Sequence, residues 1–324
     1  MPKRILIEQL DEAVQTLLAH PDPPLPQVDA SLAPLLRIAA ELRDLPMENF
    51  KARLKSDLQE KAAPAAPRVE PIPKGYRTIT PYITVQGAAE LIDFVKNAFD
   101  GVEAFRSIGP AGGIHCEIQI GDSKLMIGGG GQWRGTPMPT SLHLYVNDAD
   151  AVYGRALAAG ATSVHEPIDQ FYGDREASVQ DAGGNHWYIS THKATGGVPP
   201  GMNTLTVFLH PKGAPEMIDF LKRAFRAEQI EYHASPAGAV QYASVRIGTS
   251  ILEMGEAHGP YQPRPTMFYV YVDDVDAWYA RALESGAKSI HAPADQPYGD
   301  RNAGVEDPFG NQWYLATHVK DVAP

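Results

Sequence analysis

Residues 172–192 read YGDREASVQDAGGNHWYISTH, and residues 298–318 read YGDRNAGVEDPFGNQWYLATH. Thirteen of these 21 positions are identical, against roughly one expected between unrelated segments of average composition. The same offset of 126 relates IDFVKNAF, starting at Ile92, to IDFLKRAF, starting at Ile218. It also relates YVNDADAVYGRALAAGATSVHEP from Tyr145 to YVDDVDAWYARALESGAKSIHAP from Tyr271. Only the middle strands slip by one, so that Ile120-Gly121 aligns with Ile247-Gly248. An offset held over a whole unit means duplication rather than shared local chemistry. The chain therefore divides into module 1 at 76–193 and module 2 at 202–320, behind a stretch with no counterpart.

That leading stretch reads as helical over 1–61. Residues Ile5 to Leu18 carry apolar side chains at helical spacing, Ser31 can cap a helix from Leu32 to Leu42, and Asn49 can cap another through Leu58. Residues 62–75, with four prolines, read as a linker. Such a helical arm would dock on the rest of the chain or on a second copy, giving a homodimer.

Within module 1, Thr78 to Val85 alternates as a strand and Ala88 to Phe99 is amphipathic at helical spacing. Strands are expected over Glu103–Ser107, Ile114–Ile120 and Lys124–Ile127, with Gly121-Asp122 turning between the last two. Strand 141–146 is followed by a helix from Asp148 to Ala159, which Asn147 or Asp148 can cap and Gly160 can stop. Further strands are expected near Ser163, Ala177 and Trp187. The order is βαβββ-βαβββ, and the fold class is α+β.

Lys and Arg number 28 against 39 Asp and Glu, a formal charge of −11. Without a basic cluster this balance disfavours nucleic acid as a partner. The densest basic stretch, Lys51 to Lys61, is interleaved with acids. No run of 18 uncharged apolar residues suggests a membrane span, and Glu8 and Asp11 interrupt any secretory apolar run. A cytoplasmic location without membrane contact is the expectation. The single cysteine, Cys116, excludes an intrachain disulfide and reads as a small buried apolar group.

The element order, the segments ITPYITV, AAELIDFVKNAF, GGIHCEIQIGDSKLM, QFYGDR and GNHWYISTH, and their module 2 counterparts APEMIDFLKRAF, QPYGDR and DPFGNQWYLATH resemble the vicinal oxygen chelate superfamily. That superfamily includes glyoxalase I, bleomycin-resistance proteins and extradiol dioxygenases. The likeness is greatest to its glyoxalase-like subgroup, similar to 3-demethylubiquinone-methyltransferase-like proteins. It implies two modules arranged as an intrachain pseudo-dimer with clefts on curved sheets. It also implies metal ligands at four strand positions of each module, which here are Thr80, Met126, Ser141 and Tyr188, then Thr206, Glu253, Met267 and Tyr314. A divalent metal needs three or four N, O or S donors of suitable type, and only Glu253 is a conventional one. No catalytic metal and no cofactor are therefore expected.

Alternation along the strands places candidate ligand-binding residues on the concave face. For module 1 these are Tyr82, His115, Glu117, His143 and Tyr188; for module 2 they are Phe208, Tyr242, Glu253, Tyr269 and Tyr314. His115, Glu117 and His143 form the candidate catalytic set, since a histidine beside a carboxylate can move protons near neutral pH. An aromatic wall with one acid suits flat or cationic molecules. Three functions stay open: a small-molecule-binding, bleomycin-resistance-like protein without a catalytic metal; a lyase, isomerase or dioxygenase-type enzyme using His115, Glu117 and His143; or an interaction protein acting through its helical arm. The two Tyr-Gly-Asp-Arg tetrads read as structural, because both copies keep them while the pocket residues diverge.

Overall fold

A computed structural model of the chain describes residues 9, 10, 12–16, 28–34 and 70–322. The chain forms two compact units, residues 1–68 and 69–324. In the first, residues 9, 10 and 12–16 are helical, and Ala13 is buried against Leu10, Val14 and Val28. Among the described residues, the Ser31 side chain is seen bonded to Asp29 and not to the turn that follows it. Its amide and hydroxyl both donate to Asp29 Oδ1, at 3.0 and 2.7 Å. The helices expected beyond residue 34, and the linker up to residue 69, lie outside the described residues.

The second unit runs β1 (Ile79–Val85), α1 (Ala88–Phe99), β2 (Val102–Ile108), β3 (Ile114–Ile120), β4 (Ser123–Gly129), β5 (Ser141–Tyr145), α2 (Ala149–Ala158), β6 (Thr162–Asp169), β7 (Asp174–Gln180) and β8 (His186–His192). The same series then repeats as β9 (Leu205–Leu209), α3 (Ala214–Phe225), β10 (Glu228–Ala234), β11 (Val240–Ile247), β12 (Ser250–Met254), β13 (Met267–Tyr271), α4 (Val275–Glu284), β14 (Lys288–Asp295), β15 (Asp300–Glu306) and β16 (Gln312–His318). Helix α1 buries Leu91, Ile92, Phe94, Val95, Ala98 and Phe99, one stripe at helical spacing. The Asp148 side chain caps α2 by accepting from the Ala151 amide at 2.9 Å, and Asp274 does the same for α4 at 3.0 Å.

The strands assemble into two eight-stranded sheets. The first has the order β14-β15-β16-β13-β1-β4-β3-β2, and the second β10-β11-β12-β9-β5-β8-β7-β6. Each sheet thus joins the first half of one module to the second half of the other. The joins are antiparallel: β1 pairs with β13, with Thr80 opposite Tyr269, and β9 pairs with β5, with Thr206 opposite His143. A module is a sequence repeat but not a spatial one, and neither sheet belongs to a single copy.

Reciprocal side-chain bonds stitch the sheets together. The Ile79 amide donates to Ser250 Oγ at 2.8 Å, and the Leu205 amide donates to Ser123 Oγ at 3.1 Å. Thr140 and Thr266, equivalent residues of the two copies, meet hydroxyl to hydroxyl at 2.9 Å, which places them about the internal twofold. A gap of about 10 Å³ beside β1 and β9 has room for roughly one water.

The four helices cover one face of the sheets, and the core sits there. Trp187 and Trp313, both fully buried, pack on Phe99 and Phe225 with ring centroids 4.5 and 4.6 Å apart. Each indole also donates to a buried aspartate, Asp181 at 2.8 Å and Asp307 at 2.9 Å. The tetrad arginines serve the same face. Arg175 forks onto Asp150 of α2 at 2.7 and 2.8 Å, and Arg301 forks onto Asp276 of α4 at 2.6 and 2.8 Å. Cys116 lies in the core at 0% exposure, where burial pushes its thiol up.

Candidate functional site

Strand alternation decides what the opposite, helix-free faces present. On β5, Leu142 and Leu144 join the core, so Ser141, His143 and Tyr145 point away from the helices. The same parity puts Thr206, Phe208 and His210 on that face from β9, Glu253 from β12 and Tyr242 from β11. From β8 it adds His186, Tyr188 and Ser190, and from β7 Glu176 and Ser178. All of these belong to the second sheet.

His143, 6% exposed, is the centre of this face. Its Nδ1 lies 3.0 Å from Glu253 Oε2 and its Nε2 lies 2.8 Å from Ser190 Oγ. Ser190 donates onward to Glu176 Oε2 at 3.1 Å, and the Tyr242 hydroxyl donates to Glu253 Oε1 at 3.0 Å. Glu253 is fully buried. Burial alone would drive the imidazolium to neutrality, but the nearby carboxylates of Glu253, Glu176 and Asp174 outweigh it and hold His143 above its ordinary value. The Tyr145 ring lies tilted against the imidazole, with ring centroids 4.2 Å apart.

Beside this pair stands a ring cluster. His186 stacks on Tyr188 at 4.3 Å, Tyr261 stacks on His210 at 5.2 Å, and the Tyr188 hydroxyl meets His210 Nε2 at 2.9 Å. Burial, reinforced by nearby positive charge that includes Arg264, pushes His186 down to about 4 and His210 to about 3. Both rings are therefore neutral at pH 7. Four buried polar atoms on this face have no protein partner: Thr206 Oγ1, Ser178 Oγ, His186 Nε2 and His210 Nδ1. Thr206, His143, Tyr188 and Ser178 form one row across β9, β5, β8 and β7.

The first sheet's helix-free face is built differently. Glu117 accepts from the Tyr76 hydroxyl and from Lys124 Nζ at 2.9 Å, and His115 Nε2 lies 3.8 Å from it. Burial alone would raise this carboxyl, but nearby His115 and the bonds from Tyr76 and Lys124 overcome it and bring it down to about 2. Tyr82 meets His115 Nδ1 at 2.9 Å. A Cβ at Gly128 would stand 2.7 Å from the Tyr82 hydroxyl, so only glycine leaves that ring its place. Across the join, Tyr269 and Tyr271 donate to Asp300 Oδ2 at 2.8 and 3.2 Å, and His318 Nδ1 holds Oδ1 at 2.8 Å. Tyr314 reaches Gln312 at 3.5 Å. Among the described residues, Asn302 Nδ2 is the one unpaired buried side-chain atom on this face.

The candidate residues are thus grouped by sheet, not by module. Tyr82, His115, Glu117, Tyr269 and Tyr314 share one face; His143, Tyr188, Phe208, Tyr242 and Glu253 share the other. The catalytic set of His115, Glu117 and His143 is separated. The reason is the exchange of halves: β3 continues through β4 and β1 into β13, while β5 continues into β9. Sequence reading missed Glu176, His186 and Ser190, although each has the strand parity of a neighbour already singled out. It also missed Tyr76 and Lys124, which saturate Glu117.

The sequence model of the Glyoxalase/Bleomycin resistance protein/Dioxygenase superfamily matches residues 206–315. An uncharacterized protein of Mycobacterium bovis is 40% identical over 122 residues, covering 34% of this chain and 80% of that protein. One from Mycobacterium tuberculosis is 39% identical over 122 residues, covering 34% and 72%. Glyoxalase I from Zea mays superposes with a TM-score of 0.58 at 14% identity, over 74% of this chain and 92% of that one. The chain belongs to the Glyoxalase/Bleomycin resistance protein/Dioxygenase superfamily, the vicinal oxygen chelate proteins.

The metal positions implied by that membership also divide by sheet. Thr80, Met126, Met267 and Tyr314 fall on the first, Ser141, Tyr188, Thr206 and Glu253 on the second. Among the described residues no group of three His, Cys, Asp or Glu is gathered for a metal ion. Bringing His143 into the second set adds one donor, but its Nδ1 is already bonded to Glu253. Neither donor set fits a divalent cation.

Proposed function

We propose that the chain binds a small organic molecule on the helix-free face of the second sheet, in the manner of a metal-independent binding protein. The observation that carries this reading is the row of unpartnered buried polar atoms beside the His143–Glu253 pair. A buried donor or acceptor left without a partner costs about 1–3 kcal/mol, and native proteins keep few of them. Three of them stand within one strand row or next to it: Thr206 Oγ1, Ser178 Oγ and His186 Nε2. A ligand that bonds these atoms would recover that cost on binding. The neutral rings of His186, Tyr188, Phe208 and Tyr261 favour a flat, aromatic partner. Glu253 and Glu176, only partly offset by His143, favour a cationic group on it.

Catalysis by His143 has less support, because both imidazole nitrogens are already committed, to Glu253 and to Ser190. Neither is left for a substrate proton. An interaction role for the N-terminal arm falls largely outside the described residues. The binding reading is tested by thermal-shift screening of the full chain against aromatic and cationic metabolites. A true ligand raises the unfolding temperature as its concentration exceeds its Kd, and the rise is expected to shrink in Thr206→Val as about tenfold weaker binding requires. A hit that stabilises both proteins equally would assign the ligand elsewhere.

A further inference from the structure

A separate cavity of about 260 Å³ lies at the end of β9, between the start of α3, the 263–264 segment and the turn before β16. Leu209, Met217, Pro308 and Phe309 give it an apolar wall, and Lys212 and Arg264 give it two cations. Arg264 donates one hydrogen bond to the Gly184 carbonyl. Among the described residues no carboxylate lies within 4.0 Å of either cation. Elsewhere in the same unit Arg175 and Arg301 are forked onto aspartates, while the exposed Arg134, Arg223 and Arg226 have no carboxylate within 4.0 Å among the described residues. What marks Lys212 and Arg264 is that both line one hollow with an apolar wall, in a chain whose net charge is −11.

The duplication supplies an internal control. At the offset of 126, Lys212 corresponds to Gln86, Arg264 to Met138, His210 to Thr84 and Phe309 to Gly183. In module 1 the position of Arg264 is thus taken by an apolar side chain that is itself buried, Met138 at 7% exposure. The fold does not need cations here, since the other copy closes without them. Module 2 has gathered three basic or titratable groups at one spot, and burial together with the positive charge of its neighbours keeps His210 neutral.

We propose that this cavity is a second ligand site, taking a small organic anion whose carboxylate lies between Lys212 and Arg264 and whose apolar body rests on Met217 and Phe309. The site adjoins the helix-free face through His210 but uses different binding groups, and it would stand if nothing bound on that face. Its size suits a metabolite smaller than the ligands of typical 300–1,000 Å³ pockets, and a guanidinium is the group that best matches a planar carboxylate.

The test is calorimetric titration of the full chain at low ionic strength with benzoate, its neutral analogue benzamide, and inorganic phosphate. Benzoate is expected to bind saturably at one site, at least tenfold more tightly than either comparison. The double variant Lys212→Gln, Arg264→Met carries the side chains that module 1 already accommodates, and it should bind benzoate at least tenfold more weakly. Lys212→Gln alone, at an exposed position that cannot unfold the chain, should weaken binding several-fold. Equal affinity for benzamide would remove the cations from the site, and equal affinity for phosphate would remove the apolar wall. Undiminished binding by the variants, or no saturable binding at all, would overturn the proposal.

Discussion

The two helix-free faces descend from one duplicated unit, yet they handle buried polarity in opposite ways. On the first, Glu117 is saturated by Tyr76 and Lys124, and Asp300 by Tyr269, Tyr271 and His318. On the second, Glu253 is satisfied by His143 and Tyr242, but Thr206, Ser178, His186 and His210 each keep a buried atom without a partner. The substitutions behind this are few. Glu253 stands where module 1 has Met126, and His143 stands where module 2 has Tyr269. Because the sheets exchange halves, these two changes from different copies meet on one face and make a pair. Duplication followed by exchange thus gives one sheet a His–Glu pair beside four open polar atoms, while its sister keeps a single unpaired atom, Asn302 Nδ2, among the described residues.

The largest contrast is expected in stability. Glu253→Ala takes from buried His143 its nearest carboxylate, leaving Glu176 at 3.9 Å, and breaking such a pair costs about 3–5 kcal/mol. Glu117→Ala removes an acceptor that Lys124 and Tyr76 can replace with water, and about 1–3 kcal/mol is expected. Urea unfolding of the two variants, read at the midpoint and slope, compares them directly. Similar losses would mean that the buried pair is no more critical than its sister carboxylate.

Acid should separate the faces next. His186 and His210 titrate at about 4 and 3 when folded, below the ordinary 6.5. The unfolded chain takes up their protons first, so stability falls as pH drops from about 6.5 towards 4, by roughly 5 kcal/mol for the pair. His143 works in the other direction. Its raised value adds stability that is complete below about 6.5 and lost as pH rises through the folded value. Glu117, held to about 2, adds stability that is present above 4.5 and lost as pH falls from there towards 2. The double variant His186→Gln, His210→Gln should flatten the pH 6.5–4 segment and leave the Glu117 segment below it. An unchanged slope would show that these rings are not held neutral.

The smallest effect is the most diagnostic. Thr206→Val deletes a buried hydroxyl with no protein partner, so stability should not fall and should rise by up to about 1 kcal/mol as the unpaired group is removed. A ligand on that face should nevertheless bind about tenfold more weakly, which a calorimetric titration of the screening hit would measure. A stability loss above 1 kcal/mol would mean that Thr206 is bonded inside the protein.

The elements were legible because strand and helix periods are local. The helix at Ala88–Phe99 and the strand at Ile114–Ile120 appear in the structure with the bounds read from the sequence. Partner choice was not legible. Strands β5 and β13 hold equivalent places in the two copies and both bury apolar residues at alternate positions, so nothing in SLHLY or MFYVY says which one β1 will take as its neighbour. Every residue of the candidate site lay on the expected strand face, but the grouping into faces was wrong by one exchange. Glu176, His186 and Ser190 could have been found from parity alone, since Ser190 and His186 alternate in step with Tyr188. The cavity at Lys212 and Arg264 could not, because its walls come from segments that only the tertiary fold brings together.

The most direct measurement is a crystal structure of the full chain with the best screening hit. Density for the ligand over the second sheet, bonded to Thr206, Ser178 or His186, is the expected result. Density over Tyr82, Glu117 and Tyr314 instead, with the second face unchanged, would contradict the assignment of the binding face.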